Sequence, residues 1–168
     1  MSQVALSKIT PRNKFDNLIY HWLQERQQLI VLFNQLCRHK SDMAKPAQRQ
    51  LIKRELEYFC SVLVDYIAVG QFAVSLRIVE EIEAHPASSA TVPAALLDKL
   101  RRLSLYMVDF NDQYKDCMSF KTLEQDLSSL GLHLAKRFEL EDWLLKIYTH
   151  VKNEKPHFTQ HRPKKVAS

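Results

Sequence analysis

Ionisable side chains interrupt the apolar periodicity of three predicted helices. They are Glu25 and Arg26 in the first helix, Asp65 in the second, and Glu141 and Asp142 in the last. Each lies on or beside the side of its helix that apolar residues mark as the buried side. An ionised side chain left unpaired in a dry core costs several kcal/mol. The sequence therefore predicts that these residues pair with one another or line a cleft that solvent reaches.

Two arrangements satisfy this requirement. The first is an internal network that serves packing register alone, and its members would be Arg26, Arg137, Asp65, Glu141 and Asp142. In the second, the charges line a polar groove between helices that receives charged groups of another protein. The aromatic anchors of that groove would be Trp22, Tyr66 and Phe72, because aromatic side chains and arginine dominate the binding energy of many interfaces. The pattern alone leaves both arrangements open.

Catalytic motifs are missing from the sequence. Two glycines in 168 residues are few for a nucleotide-binding fold, which needs glycine where the backbone approaches a phosphate. Neither GxGxxG nor GxxxxGK[ST] occurs, and there is no nucleophile elbow or paired histidine and cysteine motif. Cys37, Cys60 and Cys117 lie far apart without a CxxC pair, which argues against zinc or a disulfide framework. We therefore expect a protein that is not an enzyme and that binds no metal or cofactor.

A phosphotransfer or metal-binding helical bundle is the alternative. A di-metal bundle needs Glu-x-x-His on two helices, and the only such pair here is Glu154 with His157, in the predicted tail. A phosphotransfer bundle exposes a histidine on a helix, and His133 with Lys136 loosely resembles such a site. Arg137 occupies the next position, where a small residue is expected. Histidine on a helix surface is more often an ordinary surface residue than a phosphate relay.

Apolar residues at spacings of three and four predict five helices. The predicted ranges are about 13–38, 47–69, 72–84, 93–115 and 119–151. Gly70 is expected to end the second helix. Gly131 is expected to mark a bend or a close contact between helices. The predicted fold class is all-α, a single-domain helical bundle of four long helices plus one short helix.

Charge divides the chain into three parts. Residues 1–45 carry a net charge of +4, residues 46–151 of −3 and residues 152–168 of +4, which sum to +5. We expect a flexible arm at 1–11, a helical domain at 12–151 and a disordered basic tail at 152–168. Because a nucleic-acid-binding domain usually concentrates its basic residues on one folded face, we expect no direct contact with nucleic acid. Without an apolar run of about 18 residues or a signal segment, we expect a cytoplasmic location and no membrane span.

Three sequence blocks resemble the Rsd/AlgQ family of bacterial anti-sigma factors. The blocks are HWLQERQQLIVLF, FCSVLVDYIAVGQF and RFELEDWLL, and they occur in the family's order at similar separations. Their distinctive words are Trp-Leu-x-x-Arg from Trp22 to Arg26, Phe-Cys-x-x-Leu-Val-Asp-Tyr from Phe59 to Tyr66, and Arg-Phe-x-Leu-Glu-Asp from Arg137 to Asp142. The resemblance covers roughly residues 12–151.

The resemblance implies a helical protein that acts stoichiometrically and without a cofactor. Family members bind the C-terminal DNA-binding domain of the primary, housekeeping sigma factor and block its contacts with the promoter and with core polymerase. A link to the phosphocarrier protein of the sugar phosphotransferase system is a further implication. The residues that match the family's motifs, all candidate partner-binding residues, are Trp22, Arg26, Asp65, Tyr66, Phe72, Arg137 and Glu141. Among these, Asp65 and Phe72 are the leading predicted contacts.

Overall fold

The chain folds as a bundle of antiparallel helices. The structure, a computed structural model, describes residues 13–39, 46–85, 90–116 and 120–154. Its helices are α1 (Lys14–His39), α2 (Pro46–Ala68), a π-helical segment (Val69–Ser75), α3 (Leu76–Glu83), α4 (Ala94–Tyr114) and α5 (Leu123–Asn153). No strand occurs within these ranges. The all-α prediction is therefore confirmed, whereas the predicted arm and most of the predicted tail lie outside the described residues.

Contacts at both ends of the bundle fix the helix directions. Asp16 near the start of α1 pairs with Lys152 near the end of α5, and Phe33 near the end of α1 touches Gly131 near the start of α5. These two helices are therefore antiparallel. Two contacts for each of the other neighbouring pairs give the same relation. For α1 and α2 they are Trp22 with Tyr66 and Phe33 with Phe59. For the run that contains α2 and for α4 they are Phe59 with Phe110 and Gln71 with Ser104. For α4 and α5 they are Tyr114 with Asp126 and Ser104 with Arg137. The result is an up-down-up-down bundle.

The apolar stripes read from the sequence meet along the bundle axis. Fully buried side chains from all four long helices form one core, represented by Leu29, Phe59, Leu63, Met107 and Leu130. Burial of such side chains is the main favourable term in folding, at roughly 1.5–3 kcal/mol for each large one. The spacing of three and four residues in the sequence therefore identified the helices by the surface that each of them buries.

The second helix does not end at Gly70, contrary to the prediction. A single helical run of 38 residues extends from Pro46 to Glu83, and the π-helical segment lies inside it. No described glycine has a positive φ, so Gly70 is not used as a helix stop. Instead its missing side chain makes room for Trp22, whose Nε1 would lie 2.8 Å from a Cβ at this position. The predicted short helix is thus the end of a longer one, and the described part of the chain has four helical runs.

This long run also bears on the expected absence of a membrane span. By length and composition alone, the helix from Pro46 to Glu83 could cross a membrane, and 44% of its most apolar window is buried inside the bundle. A core helix of a soluble protein meets the same criterion, because a helix that packs on several sides is apolar around much of its circumference. The finding is weak evidence for a membrane segment.

The last helix differs from its prediction at both ends. It begins at Leu123 rather than near residue 119, and it continues to Asn153. Lys152, assigned to the tail by sequence, therefore lies in the last turn, where its Nζ is 2.6 Å from Oδ1 of the buried Asp16. Within the helix, Gly131 makes the close contact that was predicted, because a Cβ there would lie 2.9 Å from Cζ of Phe33.

The two glycines should respond differently to a methyl group. Gly70→Ala is expected to lower the free energy of unfolding by about 1–3 kcal/mol, the usual cost of overpacking, because Trp22 is held in place by its stacking on Tyr66. Gly131→Ala is the matched control. There the nearest atom is the far end of the Phe33 ring, which can shift, and alanine favours helix by up to about 1 kcal/mol. Urea unfolding measures both variants, and equal losses would contradict this explanation.

Candidate functional site

A buried ion-pair network joins α1, α2 and α5 at the middle of the bundle. Arg26 of α1 is fully buried, and its guanidinium lies 2.9 Å from Oε2 of Glu141 and 2.5 Å from Oδ1 of Asp142. Its Nε donates a hydrogen bond of 3.1 Å to the hydroxyl of Tyr66. That hydroxyl in turn donates to Oε2 of Glu141. Every charge of this group therefore has a partner, as burial requires.

A second arginine extends the network to α4. The Nε of Arg137 lies 2.7 Å from Oε1 of Glu141, close enough for an ion pair although the N–H is not aligned for a hydrogen bond. Its Nη1 donates to the carbonyl of Leu100 at 3.2 Å and to the hydroxyl of Ser104 at 2.7 Å. The network thus contains two arginines, Arg26 and Arg137, and two carboxylates, Glu141 and Asp142. Their four formal charges cancel.

Aromatic rings enclose the network. The indole of Trp22 stacks on the ring of Tyr66 at 5.5 Å with an angle of 8°, and its Nε1 donates to the carbonyl of Tyr66 at 3.3 Å. The guanidinium of Arg26 lies 5.4 Å from the ring centre of Trp22 and 5.1 Å from that of Phe138. These cation–π contacts offset part of the solvation that the guanidinium loses on burial.

The environment fixes the protonation states of the network. Burial acts against the charge of Arg26, but the oxygens of Tyr66 and Glu141 outweigh it and raise the pKa of the guanidinium. Burial, followed by the negative charge of Glu141, raises the pKa of the Tyr66 hydroxyl well above its usual value. Arg26 is therefore always a cation and Tyr66 always a neutral donor in the physiological range.

Five of the seven predicted partner-binding residues are buried inside the bundle. Their side chains are 1% exposed or less, and they are Trp22, Arg26, Tyr66, Arg137 and Glu141. The contacts of these five residues lie within the bundle, and their role in binding a partner stays a prediction. The internal network predicted as the first arrangement is present, with Asp142 as a member. Asp65 is not a member, and it lies exposed on α2.

Asp65 lies instead beside a second carboxylate, at the surface between α1 and α2. It lines a cavity of about 300 Å³ with Glu25, Gln28 and Tyr58, and Tyr66 lies at its base. Burial, and next the charge of Asp65, raise the pKa of Glu25. No ion pair of the described residues includes either carboxylate, and Oε2 of Glu25 is a buried acceptor without a hydrogen-bond partner. The arrangement can hold a cation from outside.

Phe72 lies in a second depression, which Lys14, Arg77 and Glu80 line together with apolar side chains. The ring is 73% exposed and is carried by the π-helical segment. With Phe15 and Leu18 of α1 and Leu76 of α3 it lines a cavity of about 460 Å³. Of these residues only Phe72 was among the predicted site residues. Leu18 and Leu76 were not predicted as site residues because they belong to apolar stripes. Periodicity alone does not distinguish the buried centre of such a stripe from its exposed edge.

His133, considered for phosphotransfer, makes contacts within the bundle, whereas His157 of the candidate metal pair lies outside the described residues. His133 stacks on Tyr106 with 3.8 Å between ring centres, and its Nδ1 lies 2.7 Å from the carbonyl oxygen of Ser129. Among the described residues, no group of three or more histidine, cysteine, aspartate or glutamate side chains is arranged to hold a metal ion.

The network should contribute strongly to stability. Glu141→Ala removes the shared counter-ion of Arg26 and Arg137, and we expect the free energy of unfolding to fall by about 3–5 kcal/mol, the usual cost of leaving a buried charge unpaired. Glu139→Ala on the exposed side of the same helix removes a surface pair with Lys136 and should cost less than about 1 kcal/mol. Chemical unfolding monitored by circular dichroism compares the two, and similar losses would show that the network is dispensable.

The pair of Glu25 with Asp65 should make stability depend on pH. Because the pKa of Glu25 is raised in the folded state, folding favours its protonated form, and this contribution is lost as the pH rises through the folded pKa. Glu25→Gln should therefore be more stable than the parent at neutral pH and equal to it below about pH 4, near the pKa of an unfolded glutamate. Melting curves across this range test the sign, with Glu83→Gln as the surface control. A stability loss at neutral pH would contradict the repulsion.

Comparison with known proteins adds the family. A family model described as regulator of RNA polymerase sigma(70) subunit, Rsd/AlgQ, matches residues 5–149. A regulator of sigma D from Yersinia pseudotuberculosis is 32% identical over 145 residues, which cover 83% of this chain and 85% of the relative. A protein of the same name from Pectobacterium atrosepticum is 32% identical over 136 residues, covering 77% and 86%.

No solved structure is significantly similar to the chain. The sequence blocks that carry the buried network lie within the range matched by the family model, and the relatives cover most of the chain. The chain belongs to the Rsd/AlgQ family.

Proposed function

We propose that this anti-sigma-type regulator binds the C-terminal DNA-binding domain of the primary sigma factor through a surface on α1, α2, the π-helical segment and the start of α3. We call this surface the acidic–aromatic face, and it consists of Glu25, Tyr58, Asp65, Phe72 and Leu76. Binding there covers the sigma domain and keeps it from promoter DNA and from core polymerase. The observation that carries the proposal is a pair of carboxylates that no ion pair of the described residues includes, near the exposed rings of Tyr58 and Phe72.

The charge of the face suits a DNA-binding partner. A domain that binds DNA carries lysine and arginine where it contacts phosphates. Burial, and next the charge of Asp65, raise the pKa of Glu25, so a partner's cation between the two carboxylates relieves that repulsion. The net charge of −3 for residues 46–151 adds attraction at longer range, which speeds association and favours a basic protein.

The apolar part of the face supplies contact area. Phe72 and Leu76 are exposed beside Leu18, and Tyr58 is exposed beyond the carboxylates. Large apolar side chains that remain exposed near one another mark interaction sites, and aromatic side chains make large contributions to binding. Charge therefore selects the partner, and burial of these side chains holds it.

The buried network supports the face from below. Tyr66 follows Asp65 in the chain, and its hydroxyl is held by Arg26 and Glu141. Gly70, two residues before Phe72, packs on Trp22. The exposed residues are therefore mounted on backbone that the core fixes, and binding does not require that backbone to be ordered first.

The family supports the rest of the proposal. The relatives are named regulators of sigma D, and a protein that acts on a sigma factor works in the cytoplasm, by occupying a surface rather than by catalysing a reaction. The phosphocarrier protein of the sugar phosphotransferase system stays a prediction of the resemblance alone.

Two variants test the acidic–aromatic face. Asp65→Asn and Phe72→Ala should each weaken binding to the purified C-terminal domain of the primary sigma factor by about tenfold or more, or about 1.4 kcal/mol. Because both side chains are exposed, their stability should change by less than about 0.5 kcal/mol. Asp109→Asn and Leu105→Ala on α4, also exposed, are the matched controls and should bind normally. Isothermal titration calorimetry gives the affinities, and thermal unfolding gives the stabilities.

The salt dependence separates the two parts of the interface. Asp65→Asn should reduce the loss of affinity with added salt, because one charge pair is removed, whereas Phe72→Ala should leave that slope unchanged. Normal binding by both variants would overturn the proposed face. A large loss of stability in Asp65→Asn would instead make Asp65 part of the scaffold.

A further inference from the structure

A second open groove lies on the other flank of α1. We call it the α1–α5 groove. It is lined by Ile30 and Phe33 of α1 and by Leu134, Ala135 and Phe138 of α5, and its volume is about 500 Å³. The residues of α1 that line the acidic–aromatic face and its cavities are Lys14, Phe15, Leu18, Glu25 and Gln28, so the two sites share no lining residue on this helix.

Small residues keep this groove open. Gly131 and Ala135 lie one turn apart on α5 and both line it. A Cβ at Gly131 would lie 2.9 Å from the ring of Phe33, so the ring rests directly on the backbone of α5. The floor is therefore made of aromatic and aliphatic carbon, and larger side chains at these two positions would fill it.

One end of the groove is acidic. Asp142 lines this end, and its side chain is 27% exposed. Its Oδ1 is bound to Arg26, whereas its Oδ2 accepts no hydrogen bond from the described residues. Glu139, one turn earlier, also lines the groove, and among the described residues it pairs with the exposed Lys136. A cation in the groove thus finds a free carboxylate oxygen and a second carboxylate nearby.

We propose that the α1–α5 groove is a docking site for an amphipathic helix of a partner protein. The helix presents apolar side chains at positions i, i+4 and i+7 and a lysine or arginine about one turn further on. From Gly131 to Asp142 the groove follows α5 for about 16 Å at 1.5 Å per residue, which matches this spacing. The apolar side chains lie on the floor, and the cation reaches Asp142 and Glu139. This mode of recognition is an amphipathic helix in a groove.

The exposed margins favour a protein over a small ligand. Leu132 follows Gly131 and is 75% exposed, and Val31 follows Ile30 and is also exposed. These side chains extend the apolar surface outward on both sides of the groove. A small molecule on the floor would leave them in water, whereas a helix lying along the groove covers them.

The test uses a defined peptide and the full-length chain. The probe is an alanine-based helical peptide of about four turns with leucine at i, i+4 and i+7 and lysine at i+11. A control peptide has glutamate in place of the lysine. Methyl resonances of Ile30, Leu134 and Ala135 should shift with the lysine peptide, and those of Leu105 and Val108 on α4 should not. The glutamate peptide should bind about tenfold more weakly.

Filling the groove provides the matched variant. Ala135→Trp should weaken binding of the lysine peptide by at least about tenfold, or 1.4 kcal/mol, whereas Leu105→Trp should leave it unchanged. If tryptophan at this position disturbs folding, Ala135→Met serves as the second variant. Binding of the sigma domain should be normal in all three, because none of these positions belongs to the acidic–aromatic face. Failure of the peptide test therefore leaves the proposed sigma-binding function intact. Failure of the sigma-binding test likewise leaves the proposed docking site intact.

Three results would overturn the docking site. One is the absence of shifts at Ile30 and Leu134 at peptide concentrations up to about 1 mM. A dissociation constant of that size corresponds to a binding free energy of only about 4 kcal/mol. Another is equal binding of the lysine and glutamate peptides. The third is a change in the same resonances on deletion of residues 1–12 without any peptide, which would assign the groove to the chain itself.

Discussion

The fold depends on the pairing of Arg26 with Glu141. A guanidinium in the centre of a helical bundle is stable only if carboxylates, hydroxyls and ring faces replace the water that it has lost. Arg26 obtains these from α5 and α2, and Arg137 obtains the rest from α4. The requirement that no charge stays unpaired therefore fixes the relative positions of all four long helices. Apolar packing alone tolerates small shifts along a helix axis much better.

The carboxylates of this region differ in burial and in pairing. Glu141 is fully buried and forms ion pairs with two arginines, whereas no ion pair of the described residues includes Glu25 or Asp65. Burial accounts for the difference, since an unpaired carboxylate is tolerable only where water or a partner reaches it. A repulsive pair at the surface lowers stability a little and gains nothing for the fold, which is typical of residues kept for binding.

Helical periodicity predicted most of the fold and only part of the site. The stripes located the long helices and the polar interruptions within a few residues, and the block from Arg137 to Asp142 indicated a carboxylate cluster. Periodicity could not decide that Glu141 points inward and Asp65 outward, because a helix position near the edge of a stripe turns either way by a small rotation. It also treated Gly70 as a stop, since nothing local reveals that Trp22 occupies the space beside it.

The π-helical segment joins the packing of Gly70 to the exposure of Phe72. Wider helical turns are rare, and they are frequent at functional sites. Here the segment from Val69 to Ser75 buries Gly70 and Val74 in the core and leaves Phe72 between them 73% exposed. Its Ser75 hydroxyl donates to the carbonyl of Gly70 at 2.7 Å and so supports a backbone group whose usual helical partner is displaced. The irregular turn thus keeps the tight contact of Gly70 with Trp22 and the exposure of Phe72 in one stretch of chain, so the packing of the core and the shape of the acidic–aromatic face are set by the same few residues.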